Sequence, residues 1–185
     1  MCYDRKIEYQ IEPKEAFEVI HNCAGCGCKA NFINTKRFRV NANGNNLDVW
    51  LIYQCKKCKH TLNLSVYERV DRKKIDAKEY QLFLQNNEAL AEQYGKNYAF
   101  FKRNRLEVDW EGVPLLIRDM SNTLPMHNYV SGDSILIRNP YGVRIRPDKM
   151  AGMILGISRS AVKRMLESGQ IKVLQKGMDL EIIIQ

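Results

Sequence analysis

Hydrophobic positions along the chain switch between a period of two and a helical period, and each change marks a different kind of element. At the start, apolar residues alternate at Ile7, Tyr9 and Ile11, break at Pro13, and resume at Phe17, Val19 and Ile20, which predicts one or two short strands leading into Cys23. Thr35 to Val40 reads as a strand, and Asn43-Gly44 is a favourable turn pair because both residue types tolerate positive φ. Leu47 to Gln54, with Val49, Trp50, Ile52 and Tyr53, is the return arm of that hairpin, since β-branched and aromatic side chains suit a pleated surface. Leu62, Leu64 and Val66 share one face of a third strand running to Tyr67, so three short antiparallel strands are expected.

The period lengthens after Asp76. Asp76 with Glu79 resembles a capping box, Tyr80, Phe83, Leu84, Leu90, Ala91 and Tyr94 recur at helical spacing, and Gly95 suits a C-terminal cap, which predicts a helix across this stretch. Lys96 to Arg105, with Tyr98, Phe100 and Phe101, fits either a second short helix or a loop packed on the core. Val113 to Ile117 and Ser134 to Arg138 read as strands, and Asn139-Pro140-Tyr141-Gly142 as a turn into Val143–Arg146. Pro147 then opens a helix whose apolar face is Met150, Ile154 and Leu155, and Gly156 stops it. Ser158 caps another, with a buried stripe of Val162, Met165 and Leu166, and Gly169 ends it before Ile171-Lys172-Val173.

Composition adds bounds. Of 185 residues, 45% are hydrophobic and 27% charged, so a packed core is expected rather than a disordered tail. No run approaches the roughly 18 apolar residues of a membrane helix, and Met1-Cys2-Tyr3-Asp4-Arg5-Lys6 lacks the apolar stretch of a signal peptide, so a cytoplasmic protein without membrane attachment is expected. In a reducing compartment six cysteines point to metal or redox chemistry rather than to disulfides. Charge is uneven: residues 1–74 hold 14 Lys and Arg against 8 Asp and Glu, residues 75–137 hold 6 against 9, and residues 138–176 hold 9 against 2. Two basic ends flank an acidic middle. Basic clusters are the footprint of a polyanion binder, and equally of a well-solvated surface.

The sharpest chemical signal is two Cys-x-x-Cys turns, Cys23-Ala24-Gly25-Cys26 and Cys55-Lys56-Lys57-Cys58, separated by 28 residues that leave room for the hairpin. Each turn offers two thiolates from one tight loop, and two turns complete a tetrahedral shell, so Cys23, Cys26, Cys55 and Cys58 are expected to hold one structural Zn²⁺ ion in a zinc ribbon. Lys56, Lys57 and Lys59 would partly offset its negative charge. The competing readings are unmetallated buried thiols and a redox dithiol. Cys28, His21 and His60 adjoin the turns, and Cys28 is expected to be a small core residue or a neighbour of the site rather than a ligand, because four thiolates already close the shell. A catalytic zinc of the deaminase kind is excluded: none of His21, His60 and His127 has Glu two residues on, and neither cysteine pair follows proline. With no nucleophile, base and orienting group in one motif, no enzyme is expected.

Residues 144–184 resemble the RNA-binding module first described in small-subunit ribosomal protein S-four. The likeness rests on Arg146-x-Asp148, Ser158-Arg159 and Gly169-x-Ile171-x-Val173, while Leu174-Gln175-Lys176-Gly177 replaces the usual Asn-Gly after the strand. In that family the first residues of the second helix face RNA, which implies roles for Arg159, Lys163 and Arg164, flanked by the basic residues Arg146, Lys149 and Lys172. The same helices suit a plain packing module, and Gly-x-Ser before a basic helix suits a helix-turn-helix DNA reader.

Over nearly the whole chain, Cys23-x-x-Cys26, the run Phe38 to Asn43, the run Leu47 to Tyr53 and Cys55-x-x-Cys58 are similar to the bacterial family known as domain of unknown function 1062, with Thr61-Leu62 where the family has Thr-Trp. That resemblance implies no activity. The expected architecture is α+β: a three-stranded antiparallel zinc ribbon over residues 1–74, a helical and strand connecting region over 75–137, and a basic S-four-like module over 138–185, packed together without a flexible linker. The leading functional expectation is binding of structured RNA, ribosomal or transfer RNA. DNA binding and a zinc-ribbon adaptor that presents the hairpin to a protein partner are the alternatives.

Overall fold

In the computed structural model, which describes residues 5–121 and 129–185, ten strands form two five-stranded sheets accompanied by five α-helices, so the class is α+β as expected. Met1 to Asp4 and His127 lie outside the described residues. The chain divides into two compact units, Pro13–Pro114, and Met1–Glu12 together with Leu115–Gln185.

Within Pro13–Pro114 the sheet is built from β2 (Val19–Cys23), β3 (Cys28–Asn43), β4 (Asn46–Cys55), β5 (Thr61–Asp71) and β6 (Glu107–Val108), in the order β5-β4-β3-β2-β6. The three strands expected from the sequence, β3, β4 and β5, are thus one side of a wider sheet. The strand expected before Cys23 extends it, Val19 and Ile20 pairing with both β3 and β6, and β6 is an element the sequence pattern does not predict. Strand β4 shows the governing pattern: Leu47, Val49, Leu51, Tyr53 and Cys55 are buried while Asp48, Trp50, Ile52 and Gln54 between them are half-buried, the alternation that puts one face of a sheet into a core.

Helices α1 (Ala77–Leu84), α2 (Glu88–Gly95) and α3 (Tyr98–Arg103) belong to this same unit, α1 and α2 packing on β3 and α3 on β6. They bring Phe83, Leu90, Ala91, Phe100 and Phe101 into the core beside Phe17, Phe32, Phe38 and Tyr53. Edge-on ring pairs such as Phe38–Phe83 at 4.9 Å and Tyr53–Phe101 at 5.9 Å each add about 0.5–1.5 kcal/mol beyond area burial.

The helix read across Asp76 to Gly95 is two helices. The break has a specific cause: β2 covers β3 only as far as Phe32, so the backbone of β3 beyond it needs other partners. Asn86, at φ 51°, turns its side-chain oxygen to accept the Phe38 N–H at 2.6 Å, and the Asn34 side chain accepts the Lys36 N–H at 2.8 Å while its amide donates to the Ala91 carbonyl of α2 at 2.9 Å. Asn87 then restarts the helix by accepting the Leu90 N–H at 2.9 Å. Asp76 caps α1 as expected, but Glu79 does not close a capping box; its carboxylate accepts from Tyr67 at 2.8 Å and Tyr94 at 2.7 Å. On the far edge Asn104 pairs with both the N–H and the carbonyl of Ser65 at 2.7 and 3.1 Å, standing in for a strand neighbour at that residue of β5.

The other unit is discontinuous in sequence. Its sheet runs β7-β1-β8-β10-β9, from β1 (Lys6–Pro13), β7 (Leu115–Asp119), β8 (Ser134–Arg138), β9 (Ile171–Lys176) and β10 (Asp179–Ile184). β1 lies parallel to β8, with Lys6 opposite Ser134 and Gln10 opposite Arg138, and β10 is antiparallel to both β8 and β9. Helices α4 (Pro147–Leu155) and α5 (Arg159–Glu167) pack on each other, and α5 on β9. Ile7, Tyr9, Ile11, Ile135, Ile137, Leu180, Ile182, Met150, Ile154 and Val162 form this core. Of the stripe read for α5, Val162 is buried, Met165 half-buried and Leu166 39% exposed, because α5 presents only a narrow face. The strand read at Val113–Ile117 forms two residues later, and the turn after Arg138 is held by the Asn139 side chain, which bonds both the N–H and the carbonyl of Val143 at 2.9 Å.

The units therefore cut the chain at Pro13 and Pro114 rather than near residues 74 and 137. Pro13–Pro114 is an insertion between β1 and β7, and the Lys14 N–H donates to the Pro114 carbonyl at 2.9 Å where the chain enters and leaves it.

Two sites test this packing. A Cβ on Gly95 would stand 2.6 Å from both Ala16 Cβ and Asn34 Nδ2, so Gly95→Ala is expected to cost about 1–3 kcal/mol, read as a lowered urea midpoint. Asp133 is fully buried, accepts from Arg5 Nε at 2.9 Å and from the Val130 N–H at 2.9 Å, and the Arg5 hydrogen bond holds its carboxyl below the usual range against the opposing effect of burial. Its contribution is complete at neutral pH and is lost as pH falls through and below the ordinary carboxylate range. Asp133→Asn should lower the melting temperature at pH 7, with the difference from the parent protein shrinking in acid.

Candidate metal centre and basic helix face

Two successive hairpin ends build the cysteine site. β2 delivers Cys23 into a turn that returns at Cys28, β4 delivers Cys55 into a turn that returns at Thr61, and Phe32 opposite Cys55 sets both turns at one end of the sheet. The turns are near copies. Gly27 N–H donates to the Cys23 carbonyl at 2.8 Å and Lys59 N–H to the Cys55 carbonyl at 3.1 Å, with Gly27 at φ 68° and Lys59 at φ 63°. Glycine adopts that conformation without strain, whereas Lys59 carries a Cβ penalty that the surrounding turn must offset.

The four Sγ atoms of Cys23, Cys26, Cys55 and Cys58 lie within 4.8 Å of one another, close enough to hold one metal ion, with Cys23–Cys58 at 3.3 Å and Cys26–Cys55 at 3.8 Å. A Cβ on Gly25 would come 2.9 Å from Cys58 Sγ, so glycine is what lets the first turn close on the second. The sulfurs differ in acidity. Amide N–H groups of Cys58 and then Lys57 draw the Cys55 thiol down to about 6, while its contact with Cys58, together with burial, pushes the Cys26 thiol up to about 12.

Neighbouring donors stay outside the group. Cys28 is exposed, so of the two expected roles it is not a core residue but a neighbour of the site, opposite Cys23 in register and not one of the four clustered sulfurs. His21 turns its Nδ1 to the Asn22 carbonyl at 2.9 Å and its ring edge to Phe32, and His60 contributes its backbone carbonyl to Cys55 N–H at 2.9 Å. Lys56 does not balance the sulfur charge alone, because its ammonium binds both Glu18 oxygens at 2.8 and 3.0 Å. Asn31 bridges Glu18 and Asp109 at 3.1 and 2.7 Å and accepts the Lys56 N–H on its carbonyl at 2.9 Å. This polar support had no sequence signal, since Glu18, Asn31, Lys56 and Asp109 come from four separate segments.

The basic residues of the C-terminal helices are all on the surface: Arg146, Lys149, Arg159, Lys163, Arg164 and Lys172 are exposed. Asp148 gathers two of them, meeting Arg146 Nε at 3.2 Å and Arg159 Nη2 at 2.9 Å. Burial pushes the Asp148 carboxyl up, but the Arg159 hydrogen bond and the charges of both arginines outweigh it and leave it below its usual value. This bridge joins the N-terminal ends of α4 and α5. Other cations of the segment are paired: Arg138 with Glu8 and Asp179 at 2.8 and 3.1 Å, Lys176 with Glu181 at 2.8 Å. Lys149, Lys163, Arg164 and Lys172 make no ion pair among the described residues.

No helix among the described residues is long and apolar enough to cross a membrane. The family model described as "Protein of unknown function (DUF1062)" matches residues 40–177, which include the second cysteine turn and the basic helices. No curated protein and no solved structure matches the chain.

Metal content checks the ligand set. Cys26→Ser and Cys58→Ser are expected to lose the bound ion and Cys28→Ser to keep it, measured as metal per purified chain by mass spectrometry. Gly25→Ala should weaken retention against a chelator, because the added methyl displaces the Cys58 sulfur.

Proposed function

The chain belongs to the family described as protein of unknown function (DUF1062), and from that premise we propose that it is a cytoplasmic, non-enzymatic zinc protein that binds structured RNA through the basic face of α4 and α5. Zinc is favoured as the ion because all four donors are cysteine sulfurs in two matched turns. A tetrahedron with Zn–S bonds of about 2.3 Å has edges of roughly 3.8 Å, and the sulfur pairs at 3.3 and 3.8 Å are near that spacing. Four protein ligands leave no open position, so the ion's role would be to join the two hairpin ends, in the manner of a zinc ribbon.

The observation that carries the RNA reading is the Asp148 bridge. It orders Arg146 and Arg159 at the helix N-termini while Lys149, Lys163, Arg164 and Lys172 stay unpaired and exposed. A purely packing pair of helices has no need of four uncompensated surface cations; a phosphate backbone does, because each contact releases counterions. The positions fit the S-four-like pattern as well. Arg146-x-Asp148 opens α4, Ser158 caps α5 by accepting the Ala161 N–H at 3.2 Å, and Gly169 at φ 73° leads into β9 through Ile171 and Val173.

Salt titration of RNA bound to the full-length protein tests the proposal. Affinity should fall steeply with ionic strength, and reversing Arg159, Lys163 and Arg164 to Glu should abolish it. The milder K163E/R164E variant, which spares the Asp148 bridge, should lower the salt slope by about two. Unchanged binding in both variants would sink the proposal. A protein partner that survives nuclease and both charge reversals would put the adaptor reading in its place.

A further inference from the structure

The two faces of the Pro13–Pro114 sheet are unlike. In the row Phe38, Leu51 and Leu64, opposite one another on β3, β4 and β5, every side chain is buried. The intervening rows point the other way. They are Arg39, Trp50 and Ser65; Arg37, Ile52 and Asn63; and, past the bulge at Asn34–Arg37, Ile33, Gln54 and Thr61. On these rows Arg37, Arg39, Asn63 and Thr61 are exposed and Trp50, Ile52, Ile33 and Gln54 half-buried.

Three features of this open face agree. A tryptophan sits on its central strand, with the Arg39 guanidinium 5.9 Å from the ring centroid, so a flat π-surface is already paired with a cation. Arg37 and Arg39 make no ion pair among the described residues, and none of the nine side chains in the three rows is acidic. Asp48, the next residue on the same face of β4, has its Oδ1 engaged by the Arg69 N–H at 2.9 Å. At the bulge a groove adjoins this face, lined by its Ile33, Arg37, Ile52 and Gln54 together with Asn34, Thr35 and Phe38. A stacking aromatic flanked by unpaired arginines and by Asn, Gln, Ser and Thr donors and acceptors is complementary to unpaired bases on a phosphate backbone.

We propose that this open sheet face, centred on Trp50 with Arg37 and Arg39, binds single-stranded RNA by stacking an unpaired base on the Trp50 ring. The proposal extends the RNA reading to a second surface whose recognition is by stacking, whereas the α4–α5 face recognises backbone charge. Trp50 offers the ring, Arg39 steadies it and meets a phosphate, and Arg37, two residues along the same strand, meets the same backbone.

Oligouridylate titrated into the full-length protein carrying W110F, which leaves Trp50 as the lone tryptophan, should quench the remaining fluorescence. With a labelled oligouridylate followed by anisotropy, W50L should weaken binding about tenfold, W50F should recover much of it, and R37Q/R39Q should weaken it and flatten its salt dependence. K163E/R164E should leave the quenching intact, which separates failure of this surface from failure of the helix face. Metal content and melting temperature matching the parent protein certify that each variant is folded. Absence of quenching, or W50L binding as tightly as the parent chain, overturns the proposal, and preference for the matching deoxyoligonucleotide overturns the assignment to RNA.

Discussion

Parallel pairing of β1 with β8 is the constraint from which the architecture follows. Two parallel neighbours cannot be joined by a tight turn, so a long connection must lie between them, and here that connection contains the whole of Pro13–Pro114. Once Lys6 is opposite Ser134, the first strand becomes part of the sheet that carries α4 and α5. β8 then has β1 on one side and β10 on the other, which buries Ile135 and Ile137 completely. The buried Asp133, held by Arg5, immediately precedes that strand and ties the start of the chain to the same place.

Inside the inserted unit, satisfaction of the backbone explains features that propensity does not. β3 is sixteen residues long, but β2 covers only its first part, and asparagine side chains supply what a neighbouring strand would. Asn86 does this for Phe38 and Asn34 for Lys36 on β3, and Asn104 does it for Ser65 on the edge of β5. A lost amide hydrogen bond at a buried edge costs about 1–3 kcal/mol, whereas the N–H groups of Gln85, Asn86 and Asn87 all keep carbonyl partners across the break. That balance accounts for the division of α1 from α2.

The candidate metal centre and the basic helix face sit on different units and rest on different physics. The sulfur cluster is held by two matching turns and by Gly25, whose lack of a side chain allows Cys58 to approach. The helix face depends on one carboxylate, Asp148, which holds two like charges side by side where they would otherwise repel. The open face of the inserted sheet exists because α1, α2 and α3 leave one side of it uncovered, and Trp50 with its arginines lies on that side.

Local chemistry was written in the sequence. The four cysteines, the hairpin at Asn43-Gly44, the alternation along β4, the Ser158 cap and the Gly156 stop each depend on residues within one turn or one strand, so spacing alone located them. Length misled where a partner lay far away. The three strands β3, β4 and β5 gain β2 through β3 and β6 through a contact between residues near 19 and 108, the helix divides at Asn86 because Phe38 has β4 on one side but no strand on the other, and Leu166 is exposed despite its helical period. The division into units was invisible for the same reason: Ile7 and Ile135 belong to one sheet, and no composition shift or linker marks the insertion between them. Sequence determines which groups can bond locally; only tertiary structure decides which distant backbone edge or charge each one meets, because that choice depends on strand pairing across more than a hundred residues.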